Sequence, residues 1–390
     1  MTQNKIKLQY VIPVLMSFFV MSFIDLVGTG VDELKKSAET PTYILQLIPF
    51  VAFIWFFLLS VPLGIWQDKI GKRKALTFGI LITAFGLLLP LLGNTLPVIL
   101  LAFSILGIGN TILQVSANPL LIDVVPTDKS SSFLSLSQFF KSLGSMVGPL
   151  VAAFIGPWIA SLLGDNSEGS WRYGLYLFGI ISLLSWGWLA SVKIEETGAE
   201  GERASFSSCI KLLGNSYVLM MVVGIFMVVG IDVAMNSNIG TFLELKIAMN
   251  PDDAKFGKLM YFFAKMIGTF TGAILLTKLP ARGFLIGSTI LTMLSLLTLA
   301  FIPNALAAWI LIFVVSLGVS NIFPLIFSLT VGQLPERANE ISGLMMMSVS
   351  GGAIIPFLVG VVMNSWLIGG ILLLVCCAAY LVFTSLKSNA

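Results

Sequence analysis

The chain has 390 residues, 57% hydrophobic and 11% charged, with a net charge of +3 and a mean hydropathy of +0.98. Soluble globular proteins carry about 25% charged residues, so this chain has too little polar material to solvate two or three water-soluble domains. It contains no histidine, which excludes histidine metal sites, Ser-His-Asp catalysis and histidine proton relays.

Apolar runs long enough to cross about 30 Å of hydrocarbon recur twelve times, at 10–30, 42–66, 75–93, 97–121, 132–160, 171–192, 215–243, 256–279, 283–302, 305–332, 340–363 and 366–386. The first follows Lys5 and Lys7. It is too long and too interrupted by polar residues for a cleaved signal peptide, so it reads as span one. One polar stretch is long: Lys193 to Lys211, with Glu195, Glu196, Glu200, Glu202 and Arg203, falls between spans six and seven. The expected organisation is an N-terminal six-helix half (1–192), a cytoplasmic linker (193–214) and a C-terminal six-helix half (215–390). Cys209, Cys376 and Cys377 show no ligand spacing, and two of them are neighbours in an apolar run, which argues against a disulfide framework.

Loop lysines and arginines set the orientation. With the N-terminus in the cytoplasm, that side holds Lys5, Lys7, Lys69, Lys72, Arg73, Lys74, Lys129, Lys193, Arg203, Lys211, Lys278, Arg282, Arg337 and Lys387, 14 in all. The other side holds 6: Lys35, Lys36, Arg172, Lys246, Lys255 and Lys258. Both termini and the linker are therefore expected in the cytoplasm. Short loops favour a bacterial inner membrane.

Between spans two and three lies Gly64-Ile-Trp-Gln-Asp68-Lys-Ile-Gly71-Lys72-Arg73-Lys74. Gly64 would admit a close helix, Asp68 would pair at a helix end, Gly71 would make a tight turn, and the basic run would stay cytoplasmic. This stretch resembles the Gly-x-x-x-Asp-x-x-Gly-Arg-Lys loop of the major facilitator superfamily. The resemblance implies an all-α integral membrane fold of twelve transmembrane helices in two pseudo-symmetric halves. The equivalent second-half loop, Lys278-Leu-Pro-Ala-Arg282-Gly283, is degenerate.

The halves also repeat each other. Ile24-Asp25 recurs as Ile231-Asp232, Pro119-Leu120-Leu121-Ile122 as Pro324-Leu325-Ile326-Phe327, Pro126 as Pro335, and Gly144–Pro149 as Gly351–Pro356, at offsets of 207, 205, 209 and 207. Two similar halves in the same order usually enclose a midplane site, the geometry of a secondary transporter.

Polar residues inside spans are costly in lipid and mark cavities or partners. Span one has Asp25. Span four has Asn110, Gln114 and Asn118 on one helix face. Span five has Gln138 and Lys141, span seven Asp232, Asn236 and nearby Asn238, span eight Lys265, and span ten Asn321. Two acids and two bases suggest neutralising pairs, Asp25 with Lys141 and Asp232 with Lys265, the latter nearer the outer ends of its spans. Structural readings compete. Either pair could be a static packing or gating pair, the amides could bond neighbouring helices, and Asn118 could satisfy backbone freed by Pro119. Gly107-Ile-Gly109 and Met345–Met347 read as packing.

These residues resemble one branch of the superfamily, the fucose–galactose–glucose cation symporters. The resemblance rests on Ser116-Ala117-Asn118-Pro119, Leu136–Gly144, Asn321-Ile322-Phe323-Pro324-Leu325-Ile326-Phe327, Ser342-Gly343-Leu344 and Gly351–Pro356. In that branch a span-one aspartate and a span-four glutamate serve sugar binding and proton coupling. Asp25 matches the first, and Gln114 stands in place of the second. Gln138 matches the branch's span-five glutamine, while Lys141 replaces its asparagine.

The resemblance implies an importer of a neutral sugar, coupled to H+ or Na+ and using no other cofactor. Asp25, Lys141, Asp232 and Lys265 would form the charge switch, with Asp25 and Lys141 pairing in one state. Gln114, Asn118, Gln138, Asn110, Asn236 and Asn321 would bind sugar hydroxyls, which both donate and accept hydrogen bonds. Trp55, Phe56, Phe139, Phe140, Tyr261 and Phe323 are the aromatic candidates, Trp55 foremost. Gly64, Asp68, Gly71, Lys72 and Arg73 would set the cytoplasmic gate. Expected partners are the sugar and the lipid bilayer, with no nucleic acid, and the expected state is a monomer. Two alternatives stand beside this reading. One is a drug or metabolite exporter, suggested by Gly144-x-x-x-Gly148-Pro149. The other is an uncoupled facilitator in which Lys141 replaces the coupling cation. A nucleophile–base pair, phosphate loop or metal cluster is not apparent, so an enzyme is not expected.

Overall fold

The computed structural model describes residues 8–37, 42–93, 95–125, 130–165, 169–194, 196, 206–254, 256–276, 278–334 and 337–388. Of the features above, the Lys36 and Asp68 side chains and Lys5, Lys7, Pro126, Lys129, Glu195, Glu200, Glu202, Arg203, Lys255 and Pro335 lie outside the described residues.

Every regular element among the described residues is helical, and the helices line up into twelve spans. Span one runs as Leu8–Met21, a 3-10 turn at Ser22–Leu26, and Val27–Ser37. Spans two, three and four are Leu47–Ile70, Lys72–Leu88 and Leu96–Val124. Span five is Ser130–Leu150, a π turn at Val151–Ile155, and Gly156–Leu162. Spans six to nine are Arg172–Ser191, Ser216–Ile247, Phe256–Leu275 and Ala281–Phe301. Span ten is Ala305–Val319 and Ile322–Gln333; span eleven is Ala338–Met347, a 3-10 turn at Ser348–Ser350, and Gly351–Ser365; span twelve is Leu367–Lys387.

Eleven of these elements are long and apolar enough to cross a membrane. Span eight falls short because it carries Lys258 and Lys265, both of which are paired inside the protein. Spans one and seven run past the expected ends at 30 and 243, to Ser37 and Ile247. Their polar ends stay helical where Lys35 of span one pairs with Glu244 of span seven at 2.7 Å.

The bends follow from backbone chemistry. Proline lacks an N–H and its ring crowds the carbonyl four residues back. Span ten breaks at Ser320–Asn321, where Pro324 would otherwise have to bond Ser320. The π turn of span five begins two residues after Pro149. Lipid gives helices no hydrophobic reason to associate, so polar side chains bond across them. The Thr289 and Ser385 hydroxyls lie 3.0 Å apart between spans nine and twelve. Ser316 Oγ of span ten donates to the Tyr261 carbonyl of span eight at 2.5 Å.

Spans one to six pack among themselves, as do seven to twelve. The two groups meet along span five with eight, span two with eleven, and the outer part of span one with seven. Helix directions place Gly71, Leu212 and Lys387 at one end of the bundle, here the linker end, and Ser37, Ile247 and Phe256 at the opposite, far end.

Candidate functional site: a charged cavity between the two helix groups

Span one tightens into its 3-10 turn at Ser22–Leu26, and this turn carries Asp25 into the middle of the bundle, 8% exposed. Ser145 Oγ of span five donates to Asp25 Oδ2 at 2.5 Å and lies 3.0 Å from the Lys141 carbonyl one turn back. The expected Asp25–Lys141 ion pair is not formed in this conformation. Ser145 occupies the place beside the carboxylate, and Lys141 faces the same cavity separately.

Asp232 sits mid-way along span seven, and Lys265 mid-way along span eight. They lie in the cavity, not nearer the outer ends of their spans as the sequence suggested. Lys265 Nζ donates to Asp232 Oδ2 at 2.5 Å and Tyr261 Oη donates to Asp232 Oδ1 at 2.8 Å, so this carboxylate is bound from two sides.

The cavity is lined from both helix groups. Asp25, Gln114, Asn118, Gln138 and Lys141 come from one, and Asp232, Lys265, Thr269, Ser320 and Phe323 from the other. Phe53, Met21, Ile24, Val228 and Val349 form apolar wall. Its empty space is about 830 Å³ counting the open mouth. Two carboxylates, two ammoniums, three amides and an aromatic face suit a molecule rich in hydroxyls, each able to donate and accept.

Four expected ligands are engaged elsewhere. Asn110 is fully buried; its Nδ2 donates to the Met21 carbonyl at 2.6 Å and its Oδ1 accepts from Gln114 Nε2 at 2.9 Å. Asn236 Nδ2 donates across the groups to the Asp25 carbonyl at 2.8 Å. Asn321 Nδ2 donates to the Gly268 carbonyl at 2.8 Å, joining span ten to span eight at its break. Trp55 Nε1 donates to Ser104 Oγ at 2.9 Å between spans two and four. In each case bonding a neighbouring helix satisfies a group that lipid could not. Asn118, by contrast, lines the cavity while its Nδ2 reaches the Gln114 carbonyl at 3.4 Å. Of the aromatic candidates, Phe323 lines the cavity and Tyr261 acts through Asp232. Ser145, Thr269 and Ser320 went unnoticed in the sequence, because serines and threonines are common in spans and carry no charge signal.

At the linker end, Gly71 adopts φ +94°, the left-handed region that favours glycine. Its turn aims the first backbone N–H groups of span three at Glu196, which accepts from Lys72 N at 2.5 Å and Arg73 N at 3.1 Å. An anion there satisfies otherwise unpaired N–H groups and the helix dipole. Lys72 Nζ pairs with Asp123 at 2.7 Å, and Arg73 Nη2 donates to the Ala190 carbonyl at 2.6 Å. Gly64 does not serve close approach, since the space where its Cβ would lie is open. Glu196 belongs to the stretch read as linker, and its role in this turn was not evident from its position.

The Major Facilitator Superfamily profile matches residues 14–357. The chain belongs to that superfamily. Among its relatives, the glucose/galactose transporter of Brucella abortus biovar 1 (strain 9-941) is 25% identical over 385 residues, covering 95% of this chain and 91% of the relative. The putative glucose/galactose transporter of Helicobacter pylori (strain ATCC 700392 / 26695) is 26% identical over 360 residues, covering 88% and 86%. The Escherichia coli fucose:proton symporter FucP, in a form with one asparagine changed to alanine, superimposes with a TM-score of 0.75 at 20% identity, covering 98% of this chain and 100% of the other. A bacterial homologue of the human lysosomal transporter Spinster, inward-facing, gives 0.72 at 14% identity, covering 97% of each chain. These solved structures share the fold of this superfamily member. The structure is thus an all-helical major facilitator fold.

Proposed function

We propose that this protein imports a neutral sugar across the bacterial inner membrane by alternating access, with the two helix groups rocking about the cavity and both termini in the cytoplasm. The observation that carries the reading is the cavity itself, which is lined from both groups by hydroxyl-binding side chains around Asp25. The glucose/galactose transporters among the relatives support a hexose as cargo. Positive charge concentrated at the linker end supports the orientation.

In this reading Gln114, Asn118 and Gln138 bond the sugar hydroxyls, Phe323 covers an apolar ring face, and Asp25 carries the coupling proton. Ser145, donating to the Asp25 carboxyl, holds that group at the cavity wall. Asp232, held by Lys265 and Tyr261, positions the second group's side of the cavity.

A second reading, an uncoupled facilitator, is favoured by one observation: the cavity already holds two ammoniums against two carboxylates. Its charge is balanced without a cation, so Lys141 would stand where a coupling ion otherwise sits. The export reading has less support. Gly144, part of its glycine pattern, packs span five onto span one, where a Cβ would fall 2.0 Å from Ser22 Oγ.

The test is hexose uptake into proteoliposomes by variants chosen from the geometry. Gln138→Ala and Asp25→Asn should lower uptake at least tenfold. Trp55→Phe, outside the cavity, should leave the KM within about twofold. Equal effects from all three would remove the cavity as the site.

A further inference from the structure

The far end of the bundle is closed by charge pairs that cross between the two helix groups. Lys258, on the first turn of span eight, is 2% exposed. Its Nζ reaches into the other group, donating to the Gly28 carbonyl at 2.5 Å and pairing with Asp32, both in span one. Lys35 crosses in the opposite direction, from span one to Glu244 at 2.7 Å and Thr241 Oγ1 at 3.3 Å in span seven. Between these clasps and the cavity, Asn236 Nδ2 bonds the Asp25 carbonyl. Gly28 makes that contact possible: a Cβ there would lie 2.3 Å from Asn236 Oδ1 and 2.7 Å from its backbone oxygen.

A buried ammonium is costly unless paired. What Lys258 touches is a carbonyl and a carboxylate of the opposite group. Its charge is therefore satisfied only while the two groups are closed at this end. When they separate, Lys258, Asp32, Lys35 and Glu244 are all released to water, which solvates each of them. The arrangement is bistable, with paired charges in one state and hydrated charges in the other. Lys258 also shares a helix face with Tyr261 and Lys265, at spacings of three and seven residues, and these two hold Asp232 at the cavity. Span eight thus carries one stripe of polar groups from the far-end clasp to the cavity floor. The bond from Lys258 to Gly28 lies one turn beyond Asp25 on span one.

We propose that Lys258 with Asp32, and Lys35 with Glu244, form the latch that shuts the far-end entrance, with Gly28 and Asn236 as its inner seal. The proposal rests on the alternating-access reading. It adds the residues that set how often the entrance opens.

The test uses the full chain with Cys209, Cys376 and Cys377 changed to serine and a single reporter, Val229→Cys, in the cavity wall. The readout is its rate of modification by a membrane-impermeant thiol reagent applied from the far side of sealed vesicles. Lys258→Gln and Gly28→Ala, the first removing charge and the second acting as a wedge, should each raise the rate roughly 5- to 150-fold. Lys35→Gln, on the partly exposed clasp, should raise it less. The exchange Asp32→Lys with Lys258→Asp should bring the rate back toward the parent. Unchanged rates in Lys258→Gln and Gly28→Ala, with both proteins monodisperse on size exclusion, would overturn the latch. Hexose uptake by the parent protein in the same vesicles reports separately on the transport reading, so the two can fail independently.

Discussion

The Asp232–Lys265 contact offers a quantitative test of how charge is held inside this bundle. At 2.5 Å, two unit charges attract by roughly 7 kcal/mol at an effective dielectric of about 20. Desolvation of both groups offsets most of that. Removing one partner of a fully buried pair costs about 3–5 kcal/mol, because the other charge is left uncompensated. Here the lysine and aspartate side chains are 14% and 22% exposed to the cavity, so screening by cavity water places Asp232→Asn near the low end, at about 3 kcal/mol. The amide oxygen can still accept from Tyr261, which keeps the loss specific to charge. The double variant Asp232→Asn/Lys265→Gln removes both charges and should regain most of the stability. Membrane proteins often unfold irreversibly, so the assay is the half-life of purified protein in detergent at a fixed raised temperature. The single variant should decay much faster than the parent, with the double variant close to the parent. A single variant as durable as the parent, or a double variant no better than the single, would refute the reasoning.

Four further outcomes follow from named contacts. Gly71→Ala forces a side chain onto a backbone at φ +94° and ψ 147°, a conformation kept almost entirely to glycine, beside Glu196, and should cost about 1–3 kcal/mol, read as a lower melting temperature. Glu196→Gln should cost less, about 0.5–1 kcal/mol, by weakening the anionic cap of span three. Lys141→Asn should change the ion dependence of sugar uptake, and unchanged transport with unchanged ion dependence would sink its role as switch or built-in cation. Asn110→Leu leaves the Met21 carbonyl and Gln114 amide without their partner and should destabilise by about 1–3 kcal/mol, read as a lower melting temperature.

Much of the architecture was legible because lipid imposes a simple rule. A backbone in hydrocarbon must satisfy itself, so long apolar runs are helices and their number and order can be read directly. The cavity was legible through its charges, since acids and bases inside spans are rare. Asp25, Lys141, Asp232 and Lys265 all reach the same cavity. Sequence spacing does not say which carboxylate meets which ammonium, and Ser145, not Lys141, bonds Asp25. The amides were harder to assign. Asn110, Asn236 and Asn321 sit at depths similar to Gln114 and Gln138, yet bond backbone carbonyls of neighbouring helices. Whether an amide faces a cavity or a neighbour depends on helix rotation, which polar spacing alone leaves open. The far-end clasp was hidden for the opposite reason. Lys35 and Lys258 looked like ordinary loop charges, and only the meeting of spans one, seven and eight gives them partners.

The central claim, that this superfamily member carries a sugar through the cavity, is tested most directly by uptake of a panel of labelled sugars into proteoliposomes. Each sugar is run with no gradient, an inward proton gradient and an inward sodium gradient. The account predicts saturable entry of one hexose, concentrative under the proton gradient and lost in Asp25→Asn. Entry of no sugar under any of the three conditions, by protein that is folded and correctly inserted, would contradict it.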